Sequence, residues 1–121
     1  MPYNLSENGE KQYVSVTHTD EMTSEELKLV QIELAARLMM RKWTKVYIDL
    51  QNAVFPPAFS LLSHFTLTES HKNILPPEVK IATVVNPEQK LHGDAVEKAG
   101  QLSEVNIKSF YSEEMAMEWL D

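Results

Sequence analysis

The chain has 121 residues, 43% hydrophobic and 24% charged, an ordinary globular composition that excludes collagen, coiled-coil and disordered classes. Eleven basic and 18 acidic residues give a formal net charge of −7, which disfavours binding to nucleic acid and to anionic membranes. The absence of cysteine excludes disulfides and thiolate catalysis. With no apolar run long enough to span a bilayer and no signal peptide in residues 1–10, we expect one cytoplasmic domain over residues 1–121.

The first third of the chain predicts a β-hairpin followed by a long helix. Asn8-Gly9 is typical of a type I′ turn, and residues 13–18 alternate as a strand. The capping box Thr23-Ser24-Glu25-Glu26 predicts a helix over residues 24–41. Its expected buried stripe, at helical spacing, comprises Leu27, Val30, Leu34 and Leu38, widened by Ile32, Ala35 and Met39.

The middle of the chain predicts a strand, a helix and a second strand. Residues 45–50 alternate as a strand, and Pro57 is placed to begin a helix that runs to about Lys72. That helix is expected to carry Phe59, Leu62, Phe65 and Leu67. Residues 80–85 form the most continuously apolar strand and are expected to be buried.

The C-terminal part predicts two more helices around a last strand. Asn86 as N-cap, Pro87 in the first turn and Gln89 as reciprocal partner predict a helix to about Leu102. Residues 105–110 form the next strand. Ser112 is placed to cap a short final helix, which is expected to bury Met115, Ala116, Trp119 and Leu120.

The element order is therefore β-β-α-β-α-β-α-β-α, an α/β fold. Repeated βα units predict a mixed, mostly parallel five-stranded sheet with one antiparallel N-terminal strand. Three of the strands alternate polar with apolar residues, whereas a doubly wound sheet would be apolar throughout. The four helices are therefore expected to pack mainly on one face of the sheet.

Four segments carry a resemblance to a known family. They are Thr23-Ser24-Glu25-Glu26-Leu27, Val46-Tyr47-Ile48-Asp49-Leu50, Val79-Lys80-Ile81-Ala82-Thr83-Val84-Val85, and Phe110-Tyr111-Ser112-Glu113-Glu114-Met115-Ala116-Met117-Glu118-Trp119-Leu120. The chain resembles STAS domains, named for sulfate transporters and anti-anti-sigma factors, and in particular the SpoIIAA-like group of small stand-alone bacterial proteins. The resemblance covers about residues 13–121. It implies a βα superhelix and a non-enzymatic regulatory or ligand-binding module.

One departure from this family concerns phosphorylation. Anti-anti-sigma factors carry a phosphorylatable serine at the start of the helix that follows the Asp-Leu strand. With Asp49-Leu50 on that strand, Ala58 falls near the serine position and Ser60 lies two residues further on. The sequence therefore predicts a module without the usual phosphorylatable serine.

The residues favour no catalytic, metal or cofactor site. The three glycines form no phosphate-binding loop. His64 and His71 share a helical face but have no supporting carboxylate cluster, and we interpret them as solvent-facing or as capping carbonyls. Ser60 and His64 form an i, i+4 pair without an oxyanion hole.

The candidate ligand or partner site lies in the turn from Asp49 to Ser60, which joins a strand to the helix that follows it, and comprises Phe55, Pro56, Pro57, Phe59 and Ser60. It leaves the carboxyl end of a strand, where ligands gather in open α/β sheets, and its prolines remove amide donors while its aromatic rings add apolar area. This favours a protein partner or an apolar ligand over a phosphate. The alternative is that the rings belong to the core and the prolines only shape the turn.

Two functions follow from this interpretation. The first is a non-enzymatic regulatory module that binds an unidentified protein partner. The alternative is a carrier or sensor of a lipid or other apolar small molecule. A partner-binding edge at residues 39–43 and a homodimer are left open by the sequence.

Overall fold

The computed structural model describes residues 3–55 and 61–121. The strands are β1 Tyr3–Asn8, β2 Tyr13–His18, β3 Lys45–Asp49, β4 Lys80–Val84 and β5 Asn106–Phe110. The helices are α1 Ser24–Arg41, α2 Leu61–Ile74, α3 Lys90–Ser103 and α4 Glu113–Leu120, with a one-turn 3-10 helix at Pro87–Gln89 before α3. In the part of the chain described, no helix is both long and apolar enough to cross a membrane.

The sheet has five strands in the order β1-β2-β3-β4-β5. Strand β1 pairs antiparallel with β2, and the three other pairings are parallel. The register places Val14 beside Val46, and Val46 beside Ile81. The predicted α/β fold, with a mixed, mostly parallel sheet and four helices, is confirmed.

The helices are divided three to one between the two faces of the sheet. The larger core lies under α1, α2 and α3, and its fully buried members include Val14, Val16, Leu34, Val46 and Ile81. The smaller core lies under α4 and comprises Tyr47, Ala82, Val84, Phe110, Ala116 and Leu120. The alternation of the strands therefore marks a face covered by a single helix, as expected from helices packed mainly on one side.

The N-terminal hairpin forms, but the type I′ turn predicted at Asn8-Gly9 is wrong. Asn8 still belongs to β1 and pairs with Tyr13 across a four-residue loop. The Asn8 side chain accepts a hydrogen bond from the Lys11 amide at 2.9 Å, and Gln12 supplies the left-handed residue with φ 60°. The side chain of Asn8 thus stabilises a wider turn instead of occupying a central turn position.

Helix α1 begins and ends where the sequence predicts. Thr23 Oγ1 accepts a hydrogen bond from the Glu26 amide at 3.2 Å, and Lys42 ends the helix in the left-handed conformation. The predicted stripe of leucines and Val30 is buried. Ile32 and Met39 are instead 59% and 66% exposed, because helical geometry turns both away from the sheet.

Helix α2 runs from Leu61 to Ile74, two residues beyond its predicted end. Its predicted start at Pro57, with Phe59, lies outside the described residues. Further along the chain, two glycines let α3 pack closely, Gly93 against the segment after β4 and Gly100 against β5. A Cβ at Gly93 would come within 3.2 Å of Val85, and one at Gly100 would collide with Ile107.

Helix α4 docks through Ala116 and Leu120, which are buried. Met115 was expected in the same stripe but is 57% exposed. Trp119 is half-buried, with its ring 5.8 Å from that of Phe110. Lys80 Nζ lies 4.5 Å from the centre of the Trp119 ring and donates a 2.6 Å hydrogen bond to the Trp119 carbonyl oxygen.

We expect Trp119→Ala to lower the free energy of unfolding by about 2–3 kcal/mol, less than a fully buried tryptophan would cost. The loss combines the ring contact with Phe110 and the cation–π contact with Lys80. Chemical denaturation measures it, with Met115→Ala as the matched control one turn away. Equal stability of the two variants would contradict the anchoring role.

Candidate functional site

The loop that leaves β3 is held against the segment that leaves β2. The Val54 amide donates to the Asp20 carbonyl oxygen at 3.1 Å, and the Met22 amide donates to the Val54 carbonyl oxygen at 3.0 Å. Glu21 and Val54 therefore form a short parallel bridge beyond the sheet. The carboxyl ends of β2 and β3 are joined at the place where open α/β sheets bind ligands.

The same loop is held from the other side by the capping box before α3. Asn86 and Gln89 cap the 3-10 turn reciprocally, as the sequence predicts. The buried amide of Gln89 also donates to the carbonyl oxygens of Leu50 at 2.8 Å and Ala53 at 3.1 Å. The Asn86 side-chain Nδ2 donates to the Gln51 carbonyl oxygen at 2.9 Å. The capping signal was visible in the sequence, whereas this bridging role was not.

Phe55 ends the described part of the loop in a cluster with two histidines. Its ring is stacked on His92 of α3, with centroids 4.0 Å apart and planes 7° apart, and contacts His64 of α2 edge-on at 5.6 Å. His64 Nε2 lies 2.8 Å from His92 Nδ1, within hydrogen-bonding distance. The cluster joins the loop to both helices.

Of the predicted site residues, Phe55 is described and partly buried. Pro56, Pro57, Phe59 and Ser60 lie outside the described residues, so the site assignment stays a prediction. The ring of Phe55 also packs against the larger core, under α1 to α3. Its neighbour Val54 is 51% exposed and offers apolar surface at this end of the sheet.

A cavity of about 50 Å³ lies between the sheet and helices α1 to α3. Its walls are mostly apolar, and their polar members are His18, Gln31, His64, Thr68, His71 and Thr83. His64 and His71 are both buried, so the solvent-facing interpretation of these residues is wrong. They share the buried face of α2, where Thr68 donates to the His64 carbonyl oxygen at 2.7 Å.

His71 is the least satisfied group of this interior. Its Nδ1 is buried and has no hydrogen-bond partner among the residues that the structure describes. The residue also lines a second cleft, of about 250 Å³, at the amino ends of β4 and β5 beside Lys72 and Asn106. His71 thus stands between the internal cavity and the outer cleft.

Burial keeps these imidazoles neutral. It lowers the pKa of His64 to about 4, with a further contribution from the neighbouring His92, and it lowers the pKa of His71 to about 4. Burial also lowers the pKa of His18 and of His92. The described residues contain no group of three histidine or acidic side chains that could hold a metal ion. At pH 7 the described lining of the cavity therefore offers uncharged hydrogen-bonding groups and includes no cation to attract an anion.

No family model matches the chain, and no curated protein matches it. Solved structures do. An uncharacterized DUF3478-family protein with a SpoIIAA-like fold from Shewanella loihica aligns with a TM-score of 0.66 and 17% identity, over 98% of this chain and 92% of that one. An anti-sigma factor antagonist from Mycobacterium paratuberculosis aligns with a TM-score of 0.58 and 10% identity, over 98% and 92%. The anti-sigma factor antagonist SpoIIAA in its unphosphorylated form aligns with 0.59 and 15%, over 97% and 94%.

The chain has a SpoIIAA-like fold. This confirms the fold that the sequence resemblance implied, over nearly the whole chain. In this SpoIIAA-like arrangement the loop after β3 and its clamp by Gln89 lie at the carboxyl end of the parallel strands.

We expect Gln89→Glu to lower the free energy of unfolding of the SpoIIAA-like fold by about 1–3 kcal/mol. The carboxylate cannot donate, so the Ala53 carbonyl oxygen loses the Gln89 hydrogen bond, the Leu50 carbonyl oxygen keeps only that from the Ala53 backbone amide, and both face a negative charge. Urea denaturation measures the loss. Glu88→Gln, at the exposed neighbouring position, is the matched control and should leave stability unchanged; a similar loss in both variants would argue against the clamp.

The buried histidines predict that the fold is destabilised by acid. Both His64 and His71 have a folded-state pKa near 4, below the ordinary 6.5, so the unfolded chain binds more protons between these values. The free energy of unfolding should fall as pH drops from 6.5 toward 4, by at most about 1.4 kcal/mol per pH unit for each histidine.

Denaturation at pH 7, 6 and 5 measures this dependence in the wild type and in His71→Leu. We expect the leucine variant to have the shallower slope, because it removes one proton-binding group. Thr66→Ala, at an exposed position of the same helix, should keep the wild-type slope. An unchanged slope in His71→Leu would refute the assignment to this residue.

Proposed function

We propose that this chain is a non-enzymatic regulatory module of the STAS type that acts by binding a protein partner in the bacterial cytoplasm. The observation that carries the proposal is the SpoIIAA-like fold over 97% of the chain, which it shares with two anti-sigma factor antagonists. A partner of the anti-sigma factor class is therefore the first to test.

The partner surface we propose is the pair of loops that follow β2 and β3. In the described part of these loops, residues 19–23 and 50–55, two backbone hydrogen bonds and the Gln89 side chain restrict the backbone, which lowers the entropy cost of binding there. Val54 presents exposed apolar area there. The neutral imidazoles of His64 and His92 behind the loop also favour a protein surface over a phosphate group.

Binding of purified anti-sigma factors from the source genome, tested one at a time by calorimetry, examines this function. We expect one of them to bind the wild type, and Val54→Asp to weaken that binding ~10-fold or more, since it places a charge at an apolar contact. Leu102→Asp, at a position 65% exposed on α3, is the matched control and should bind normally. Absence of binding by every candidate, or equal weakening by both variants, would contradict the proposal.

We further propose that the module works without the usual serine switch, because Ala58 stands near the serine position. Incubation with an anti-sigma factor kinase and ATP should leave the intact mass unchanged, and Ser60→Ala should behave as the wild type. A single phosphate on Ser60 would overturn this part of the proposal while leaving the partner surface standing.

The alternative function, transport or sensing of a lipid or other apolar molecule, has one supporting observation. The cavity between the sheet and α1 to α3 is largely apolar. Its volume of about 50 Å³ falls far below the ~300 Å³ at which small-molecule pockets usually begin. Native mass spectrometry of freshly purified protein separates the two functions, because a retained apolar adduct would favour the carrier.

A further inference from the structure

Helix α1 carries a second apolar stripe on the side opposite its buried leucines. The stripe consists of Leu29, Ile32, Met39 and Met40, which are 54%, 59%, 66% and 83% exposed, together with the exposed Ala36. Each residue advances the helix by 100°, so these five positions lie within an arc of about 100° around the helix axis. Contiguous apolar area of this kind marks an interaction surface more often than isolated exposed side chains do.

The charges on one flank of the outer stripe are divided between the two halves of the helix, while Lys28 lies on the other flank and Glu25 at the N-terminal end of the stripe. Glu26 and Glu33 lie along one flank in the N-terminal half, and Arg37 and Arg41 continue that flank in the C-terminal half. A second α1 helix packed antiparallel would bring each acidic half beside a basic half. A parallel helix would bring like charges together. The helix dipoles also favour the antiparallel arrangement.

We propose that a second copy of this chain docks on the outer stripe, with the two α1 helices antiparallel about a two-fold axis near residue 34. This arrangement places Ile32 opposite Ala36 and Leu29 opposite Met40 of the second copy. It also places Glu33 beside Arg37 of the second copy. The surface is self-complementary, as a two-fold interface requires, and that argues for a second copy over an unrelated partner.

The arginines remain able to reach across such an interface. Arg41 Nε is 2.7 Å from a carboxylate oxygen of Glu7, and Arg37 is 3.4 Å from the other oxygen. Their side chains are nevertheless 59% and 36% exposed, and a guanidinium has five donors. Each can therefore donate to Glu7 and to a second carboxylate at the same time. This inference does not depend on the proposed function, because it concerns α1 and not the loop after β3.

Sedimentation equilibrium tests the interface directly. We expect the wild type to sediment at twice its mass of 13.9 kDa, and Ile32→Glu and Met39→Glu each to raise the dimer dissociation constant ~10-fold or more. Leu91→Glu is the matched control, since Leu91 is 69% exposed on α3 and outside the stripe. Circular dichroism confirms that each variant is folded. A monomeric wild type, or a dimer unaffected by both stripe variants, would overturn the proposal.

The orientation of the helices is tested by disulfide formation, which the absence of native cysteine makes simple. In a mixture of Leu29→Cys and Met40→Cys proteins, the antiparallel arrangement predicts a mixed disulfide between the two variants under oxidation. In the parallel arrangement each variant would instead cross-link to itself. Charge reversal gives a second measurement: Glu33→Arg and Arg37→Glu should each weaken the dimer, and the double variant should restore it. Failure of the double variant to recover would contradict the proposed pairing.

Discussion

The hydrogen bonds from the Gln89 side chain hold the carboxyl ends of β3 and β4 in one arrangement. The amide donates to the carbonyl oxygens of Leu50 and Ala53 beyond the end of β3, where Leu50 also accepts from the Ala53 backbone amide. A buried carbonyl without a donor costs about 1–3 kcal/mol, so the loop is restrained wherever this amide is present. The position of Phe55 against His64 and His92, and the exposure of Val54 beside it, follow from that restraint.

Polar groups in the interior distinguish this molecule from a simple apolar sandwich. His18, His64 and His71 surround a small cavity under the helices, and burial keeps them uncharged. The hydrogen bond between His64 and His92 and the contacts of both rings with Phe55 join α2 to α3 and to the loop after β3. The fold is therefore expected to be more stable at neutral than at acidic pH. The uncharged imidazoles behind the candidate surface do not favour binding of an anion.

Helices α1 and α4 differ in how much of their apolar surface is buried. Helix α4 covers the second face of the sheet through Ala116 and Leu120. The cation–π contact between Lys80 and Trp119 stabilises the C-terminal end of this helix. Helix α1 buries one stripe and leaves another apolar stripe in solvent. A helix with apolar residues on two sides is expected where one side meets the core and the other meets a second surface. The apolar content of α1 is therefore explained only when both sides are counted.

The sequence by itself determined the element order, the bounds of α1, the capping boxes and the mixed sheet, because these depend on local spacing and on short hydrogen bonds. It also indicated the SpoIIAA-like fold through short segments distributed along the chain. Only the tertiary structure decided that His64 and His71 turn inward, that Met115, Ile32 and Met39 turn outward, and that Gln89 bridges to the loop after β3. Amphipathic spacing predicts which residues share a face of a helix. It does not predict whether that face packs on the core, on another element or against solvent. Whether a histidine or a methionine is buried depends on residues distant in sequence, and those residues come together only when the elements pack.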